Sequence, residues 1–225
     1  MGKKVKPPLP TLERRSYLFE VRAEQTEKGD AILTGRPVVY SSPTDIGGMF
    51  QEIIEPGALD GADLTDVRFL VNHDTSMIPL ARSRNNNENS TMQMSPDDEG
   101  LLLDRVALDI ANNAEARALY SAVQRGDISG MSFMFSVAAD EWEDLETDYP
   151  TRHIIKIASI VEVSAVTFPA YPDTEINARG GPLESARAAL ESAKNAERND
   201  APEGGGDALA LAKAKIMYAY NLKEV

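Results

Sequence analysis

The sequence predicts an α+β protein that is mainly β. Short segments in which apolar and polar residues alternate recur through most of the chain, and turns rich in Gly, Pro and Asn separate them. This is the pattern of β-strands joined by tight connections. One clear helix signal interrupts the strands at about residues 112–125, and helix-forming residues dominate after residue 179. We therefore expect a β-rich domain followed by a helical C-terminal tail.

Charge and composition divide the chain of 225 residues into three predicted parts. Residues 1–15 hold three prolines and five basic side chains against one acidic side chain, and we expect a flexible basic arm. Residues 16–178 form the main domain and carry a net charge of −17, whereas the whole chain carries −13. Residues 179–225 carry seven charges of each sign and include the linker "APEGGG", so they are predicted to form a neutral, helix-prone tail.

The first part of the main domain is predicted to contain short strands. "YLFEVRA" alternates between polar and apolar residues after its first residues, and "AILTGRPVVY" predicts two strands around a Gly-Arg-Pro turn. "SSPTDIGG" is typical of a loop. "FQEIIEPGALD" predicts a Pro-Gly turn that leads into a short helix, and "VRFLVNHD" is an apolar strand that ends in three polar residues.

The second part of the main domain combines strands with one helix. Residues 79–108 predict strands interrupted by an Asn-rich loop, and the helix is expected to run from about Asn112 to Arg125, with Gly126 as its stop signal. "ISGMSFMFSVA" predicts a strand, "DEWEDLETDYP" an exposed acidic loop or hairpin tip, and "HIIKIASIVEVSAVTF" the last strand. The predicted helix face contains Ala114, Ala118, Leu119 and Val123. On the strand, Met131, Phe133, Phe135 and Val137 share one face, and Ser132, Met134, Ser136 and Ala138 share the other.

The composition also excludes several kinds of site. There is no cysteine, so disulfides and thiolate chemistry are excluded and a reducing compartment is favoured. No segment has the roughly 18 apolar residues of a membrane helix, and the N-terminus lacks the apolar core of a secretory signal. Two histidines and no ligand motif argue against a histidine-rich metal centre, and carboxylate sites for calcium or magnesium stay open although no EF-hand-like loop is present; we expect no metal site and, because nucleotide-binding glycine motifs are absent, no cofactor. The acidic main domain argues against nucleic acid as a partner.

Three residues are candidates for hydrolytic chemistry, each with an ordinary alternative. Ser132 follows the Gly130 step, but "GMSFM" lacks the final glycine of the G-x-S-x-G elbow, and Ser129 competes with it. A serine nucleophile needs a base, and His73 ends an apolar strand, where it could equally be a surface histidine held by Asp74. Glu162 interrupts an apolar strand, so it is either paired inside the protein or exposed on an edge strand.

Three segments in a fixed order give the chain a resemblance to a known family. They are "VRFLVNHD", "ALYSAVQRGDISGMSFMF" and "IVEVSAVTFPAYP", with "EIIEPGALD" upstream of them. Over about residues 18–172 the chain resembles the prohead (capsid maturation) serine proteases of tailed phages, which are similar in fold to the herpesvirus assemblins. The resemblance implies an assemblin-like β-barrel core with surrounding helices.

The resemblance also implies roles for single residues. His73 matches the general base of the family, Ser132 its nucleophile, and Glu162 the third member that orients the histidine. Assemblins use a second histidine in that third place, and His153 is available. If 153–162 is one regular strand, the odd separation puts His153 and Glu162 on opposite faces. Met134 departs from the family, in which many members have glycine two residues after the serine.

The function implied by the resemblance is that of a serine endopeptidase of prohead maturation. Its expected partners are the major capsid protein or its scaffold delta region as substrate, the chain itself through autoprocessing, and further copies in a homodimer or higher oligomer. Its expected location is the host cytoplasm, inside the assembling prohead. Donors for an oxyanion hole are sought in the Gly130-Met131 backbone or in an arginine such as Arg82 or Arg84. The alternatives are a non-catalytic assembly or scaffolding module and a hydrolase of small esters.

Overall fold

The computed structural model describes residues 12–17, 21–25, 31–168 and 182–200. The strands are β1 (Leu12–Tyr17), β2 (Val21–Gln25), β3 (Ala31–Val39), β4 (Thr44–Asp45), β5 (Gln51–Ile54), β6 (Val67–Val71), β7 (Ala81–Ser83), β8 (Met92–Asp97), β9 (Gly100–Leu108), β10 (Gly130–Glu143) and β11 (Thr151–Val166), and the helices are α1 (Ala114–Arg125) and α2 (Pro182–Asp200). The prediction of a mainly β, α+β protein is confirmed.

The strands form two sheets. In the larger sheet the order is β1-β10-β11-β5-β4, and β6 also pairs with β11 and carries β7 on its other side. In the smaller sheet the order is β2-β3-β9-β8, all antiparallel. Apolar side chains of both sheets and of α1 form one hydrophobic core. Neither sheet closes on itself through the strand pairings of the described residues, so the barrel core implied by the resemblance stays a prediction.

The long strand β11 pairs with three other strands of the larger sheet. It pairs antiparallel with β10 along one edge. Along its other edge it pairs in parallel with β5 at 151–154 and with β6 at 162–165. Residues 162–165 of β11 are therefore central in the sheet, with β10 on one side and β6 on the other. This position disproves the alternative in which Glu162 lies on an exposed edge strand.

Strand β10 is buried on both faces over its first seven residues. Phe133 and Phe135 face the core, and Ser132 on the opposite face is also fully buried. The strand then emerges into solvent and continues to Glu143, so the first part of the predicted acidic loop is strand, and the connection to β11 spans 144–150. The pairing with β11 is irregular, because Met134 lies opposite Glu162 while the next residue lies opposite Ile160. This is the signature of a β-bulge.

Helix α1 confirms the predicted helix and corrects its buried face. The Asn113 side chain caps the first turn, and Gly126 ends the helix with φ 79°, a left-handed conformation that glycine adopts without strain. The buried positions are Ala116, Leu119, Tyr120 and Val123, whereas Ala114 and Ala118 are exposed. The observed stripe follows the i, i+3, i+4, i+7 spacing, from which the two predicted alanines deviate.

Two local predictions are wrong. "AILTGRPVVY" is not two strands, because β3 continues through the Gly-Arg-Pro segment. The segment causes only register shifts in the pairing of β3 with β9. The Pro-Gly segment after β5 forms hydrogen-bonded turns without a helix, in which Gly57 and Gly61 have φ 82° and 76°. In β3, pairing with β9 overrides the local turn signal. After β5 the predicted Pro-Gly turn forms, and only the helix is absent.

The ends of the main domain also differ from the sequence interpretation. Residues 12–15 of the predicted basic arm lie in β1, and the rest of the arm lies outside the described residues. The helix expected after residue 179 is α2, and the second tail helix, beyond residue 206, lies outside the described residues. The three-part organisation at residues 15 and 178 stays a prediction, since the compact units of the chain divide within α2, after Ala188.

Candidate active site

His73 is presented by a tight turn at the end of β6. Asn72 and His73 have φ values of 52° and 57°, and the Asp74 backbone N–H donates to the Val71 carbonyl over 3.1 Å. Two consecutive positive φ values closed by this bond define a type I′ turn, whose usual central residues are Asn and Gly. Histidine in the glycine position is strained, and such strain persists only where surrounding contacts hold it.

Hydrogen bonds from the end of β11 hold this turn. The Asn72 side-chain oxygen accepts the Thr167 backbone N–H at 2.9 Å, and its amide group donates to the Thr167 hydroxyl at 3.1 Å. The Asn72 backbone N–H donates to the Ala165 carbonyl at 2.9 Å, and the His73 backbone N–H donates to Ser164 Oγ at 3.1 Å. The turn is therefore fixed at both central residues, although it is exposed at Asn72.

The imidazole of His73 lies between Ser132 and Glu162. Its Nε2 is 2.5 Å from Ser132 Oγ, and its Nδ1 is in hydrogen-bond contact with Glu162 Oε1. The second carboxylate oxygen of Glu162 accepts the hydroxyl of Ser164 at 2.7 Å. Antiparallel pairing of β10 and β11 sets these positions, because Ser132 lies opposite Ser164 and Met134 lies opposite Glu162.

Burial makes these hydrogen bonds strong. Glu162 is 3 % exposed and Ser132 is 0 % exposed. Both Glu162 oxygens are hydrogen-bonded, which satisfies a carboxylate that would otherwise be costly to bury. The Glu162 contact favours the imidazole tautomer with its proton on Nδ1, so the Nε2 lone pair points at the Ser132 hydroxyl. The structure therefore brings together all three site residues named from the sequence.

The competing residues lie elsewhere. Ser129 is exposed in the connection between α1 and β10. Asp74 does not hold His73, because its carboxylate accepts the hydroxyl and the backbone N–H of Ser76, bonds that lower the pKa of Asp74. His153 bonds Glu55 at 2.6 Å. It precedes Glu162 by nine strand residues, about 30 Å along β11. His153 is therefore separated from the site by distance along the strand. The predicted alternation of faces does not provide the reason, because bulges interrupt that alternation between residues 153 and 162.

The arginines considered as oxyanion donors bind other groups. Arg82 pairs with both carboxylate oxygens of Asp66, at 2.6 and 2.8 Å. Arg84 donates to the Asn89 carbonyl at 3.0 Å. The backbone at Gly130-Met131 stays a prediction for this role. Met134, at the position that is often glycine in the resembled family, is a buried neighbour of Glu162 across the strand pair.

A contact that the sequence interpretation missed covers Ser132. Strand β1 pairs with β10 so that Ser16 lies opposite Ser132, and the Ser132 hydroxyl is 2.8 Å from the Arg15 carbonyl oxygen. No local signal could have found it, because the contact joins residues 117 positions apart. The sequence pattern places Arg15 in the predicted basic arm, whereas pairing with a distant strand buries it to 4 % exposure.

The side chains of β1 enter a buried ion cluster, which consists of Glu13, Arg15, Glu52, Asp140 and Arg152. Arg15 pairs with Glu52 at 2.5 Å and with Glu13 at 2.6 Å. Arg152 pairs with Glu13 at 2.8 Å, with Glu52 at 3.1 Å and with Asp140 at 2.7 Å. Burial acts to raise the pKa of Glu13, but the bonds and charges of Arg152 and Arg15 outweigh it, so the pKa is lowered and the carboxylate stays ionised.

The site has the composition and geometry of a serine hydrolase, in which a carboxylate orients a histidine toward a serine hydroxyl. Comparison with known proteins gives the family. The family model described as "Caudovirus prohead serine protease" matches residues 18–187. The chain belongs to this family.

A curated relative supports the same assignment. The chain is 32% identical over 167 residues to a protein named "Prohead protease" from Enterobacteria phage HK97. The aligned region is 72% of this chain and 66% of the relative, so the chain spans slightly less than two thirds of the length of that protein. No solved structure gives a significant match.

The described part of the chain has neither a metal-ligand cluster nor a membrane-spanning helix. Among its residues, no group of three or more His, Asp or Glu side chains is arranged to hold a metal ion. Neither α1 nor α2 has the length and apolar character needed to cross a membrane.

Proposed function

We propose that the protein is a serine endopeptidase in which Ser132 is the nucleophile, His73 the general base and Glu162 the residue that orients the base. One observation carries this proposal: an unbroken line of hydrogen bonds runs from Ser132 through His73 to Glu162. Family membership supports peptide hydrolysis as the reaction. The residue roles rest on the geometry and on the resemblance of the three sequence segments.

The geometry supports the following sequence of events. His73 Nε2 takes the proton of the Ser132 hydroxyl while Oγ attacks a peptide carbonyl. The negative charge of Glu162 stabilises the imidazolium that forms, and the contact at Nδ1 keeps the His73 ring oriented toward Ser132. His73 then gives the proton to the leaving amine, and the peptide is left as an ester on Ser132. Water, deprotonated by His73, hydrolyses this ester. The oxyanion donors that we propose are the backbone N–H groups at Gly130-Met131.

The substrate class follows from the family and not from the site alone. The relative from phage HK97 is named a prohead protease. We infer that this chain cleaves capsid or scaffold proteins, such as the delta region of a major capsid protein, and that it also cleaves itself. We infer that it acts inside the assembling prohead, as a homodimer or higher oligomer, without a cofactor or metal. An assemblin-like barrel core belongs to the same proposal, supported by the single core that both sheets share.

Co-expression with a candidate major capsid protein tests this function. We expect mass spectrometry to find shortened capsid protein and a shortened protease chain with the wild type, and only full-length chains with Ser132→Ala. Cleavage that persists in Ser132→Ala would contradict the assignment.

The complete burial of Ser132 favours one alternative, a non-catalytic assembly module of the same fold. That module would leave both chains intact with the wild type as well. A hydrolase of small esters would turn over simple esters and also leave the capsid protein intact.

A further inference from the structure

We propose that β1 is a removable strap: it closes the candidate active site over Ser132, and a peptide substrate takes its place along the edge of β10. This inference rests on the proposed function, because it concerns access to the same serine. It goes beyond that function by assigning a role to residues 12–17, which precede the family-matched region of 18–187.

The first support is that β1 leaves the nucleophile inaccessible. Ser132 is 0 % exposed, and its Oγ lies within hydrogen-bond distance of both the Arg15 carbonyl oxygen and His73 Nε2. A hydroxyl has one proton, and a carbonyl oxygen can only accept it. When Ser132 donates to Arg15, the proton is not directed at the base. The strap therefore both shields the serine and withholds its proton from His73.

The second support is the position of β1 in the sheet. β1 is an edge strand, and its six residues pair antiparallel with β10 from Met131 to Ser136. If β1 leaves, this stretch of β10 becomes the edge and offers its backbone N–H and C=O groups beside Ser132. An extended peptide can add to such an edge by the same backbone hydrogen bonds. A polypeptide substrate is thus the partner that fits the vacated edge.

The third support is that the described side chains of β1 are held mainly by polar contacts, and one contact reaches the core, where Arg15 Cζ lies 5.7 Å from the centre of the Phe135 ring. None of its four described side chains, at residues 12–15, belongs to that core, and Leu12 is 45 % exposed. β1 is held instead by its backbone ladder and by Glu13 and Arg15 in the buried ion cluster. These two side chains carry opposite charges, so their departure removes no net charge. Arg152 keeps Glu52 and Asp140 as partners.

The energetic balance agrees with a strap that opens. The desolvation cost of a buried ion pair cancels much of its favourable electrostatic energy. The ion cluster is therefore expected to determine where β1 docks, while it adds little to the free energy that holds β1 in place. A single edge strand whose described side chains make mostly polar contacts is expected among the less stable segments of a domain, which open locally while the remainder stays folded.

A disulfide between β1 and β10 tests the strap in the full chain. Leu12 lies opposite Ser136 in the pairing, and directly opposite residues of antiparallel strands have the Cα separation that a disulfide requires. The chain has no cysteine, so Leu12→Cys with Ser136→Cys creates a single possible bridge. The measurement is the rate at which a fluorophosphonate probe labels Ser132, followed by intact mass. The controls are the two single-cysteine variants.

We expect the oxidised double variant to be labelled at least about tenfold more slowly than the same protein after reduction, whose rate should match the single variants. A strap-weakening variant, Arg15→Ala, should be labelled about threefold or more faster than wild type. Arg14→Ala is its matched control, because it removes the same charge from the same strand but lies outside the ion cluster.

Equal labelling of the oxidised and reduced double variant would overturn the strap and leave the proposed function standing. Labelling of Arg15→Ala at the wild-type rate would likewise count against the strap. If the probe labels Ser132 in no form of the protein, neither in the reduced double variant nor in Arg15→Ala, the result would contradict the proposed function and this inference together.

Discussion

Ser132 Oγ lies 2.5 Å from His73 Nε2, although 59 positions separate the two residues in the chain. Strand β11 produces this contact, because it pairs antiparallel with β10, which carries Ser132, and in parallel with β6, whose end presents His73. β11 also supplies Glu162 and Ser164. One strand therefore supports every side chain of the candidate site, and small changes along it should alter reactivity before they alter the fold.

Glu162→Gln should reduce reactivity strongly without a large change in shape. Glutamine keeps the size of the side chain but removes the charge that stabilises the imidazolium. We expect probe labelling of Ser132 at pH 7 to fall by about 10²–10⁴-fold. Glu55→Gln is the control, since it changes the carboxylate that bonds His153 rather than His73. A Glu162→Gln rate equal to that of Glu55→Gln would argue against the assigned third member.

Ser164→Ala tests whether the hydroxyl behind Glu162 positions the site. It removes the donor to Glu162 Oε2 and the acceptor of the His73 backbone N–H. Because this leaves partly unsatisfied groups in a buried site, we expect labelling to slow by about tenfold. Ser164→Thr, which keeps the hydroxyl, should restore the rate.

The control for a purely structural effect is Ser136→Ala. It removes another buried serine of the same strand pair, one that bonds Ser159. If Ser164→Ala and Ser136→Ala both lose stability in thermal unfolding, and Ser164→Ala is labelled at the wild-type rate, Ser164 has a structural role only.

Asn72 provides a test of the strained turn. Asn72→Ala loses the two hydrogen bonds to Thr167 and places alanine at φ 52°. Asn72→Gly loses the same bonds but accepts the backbone conformation. We expect the alanine variant to lower the free energy of unfolding by roughly 1–2 kcal/mol and to slow labelling, and the glycine variant to be milder in both. Equal effects from the two would mean that backbone strain plays no part.

The stability contributed by Glu13 should depend on pH. Its pKa is lowered in the folded protein from the ordinary value of 4.5, so ionised Glu13 stabilises the fold at neutral pH. This contribution is complete above 4.5 and is lost as the pH falls through the lower, folded-state pKa. We expect Glu13→Gln to cost about 1–3 kcal/mol at pH 7 in denaturant unfolding. The gap to wild type should narrow steadily below pH 4.5, and a gap that does not depend on pH would contradict the ionised assignment.

Local sequence patterns predict the three residues of the candidate site, but they do not predict that β1 covers Ser132. The ends of β6, the start of β10 and the acid in β11 are visible in the sequence because each interrupts or follows an apolar run. The cover by β1 is not visible, since the partners of Glu13 and Arg15 in other strands lie 37 or more positions away, at Glu52 and Arg152. For the same reason the bulges in β11, which depend on cross-strand register, could not be derived from alternation.

The most direct test of the central claim is to identify the residue that a fluorophosphonate modifies. Full-length wild type, Ser132→Ala and Ser129→Ala are treated with the probe, and the adduct is located by peptide mass spectrometry. We predict one adduct, on Ser132, in the wild type and in Ser129→Ala, and none in Ser132→Ala. An adduct on Ser129, or one that persists in Ser132→Ala, would contradict the assignment of Ser132 as the nucleophile held by His73 and Glu162.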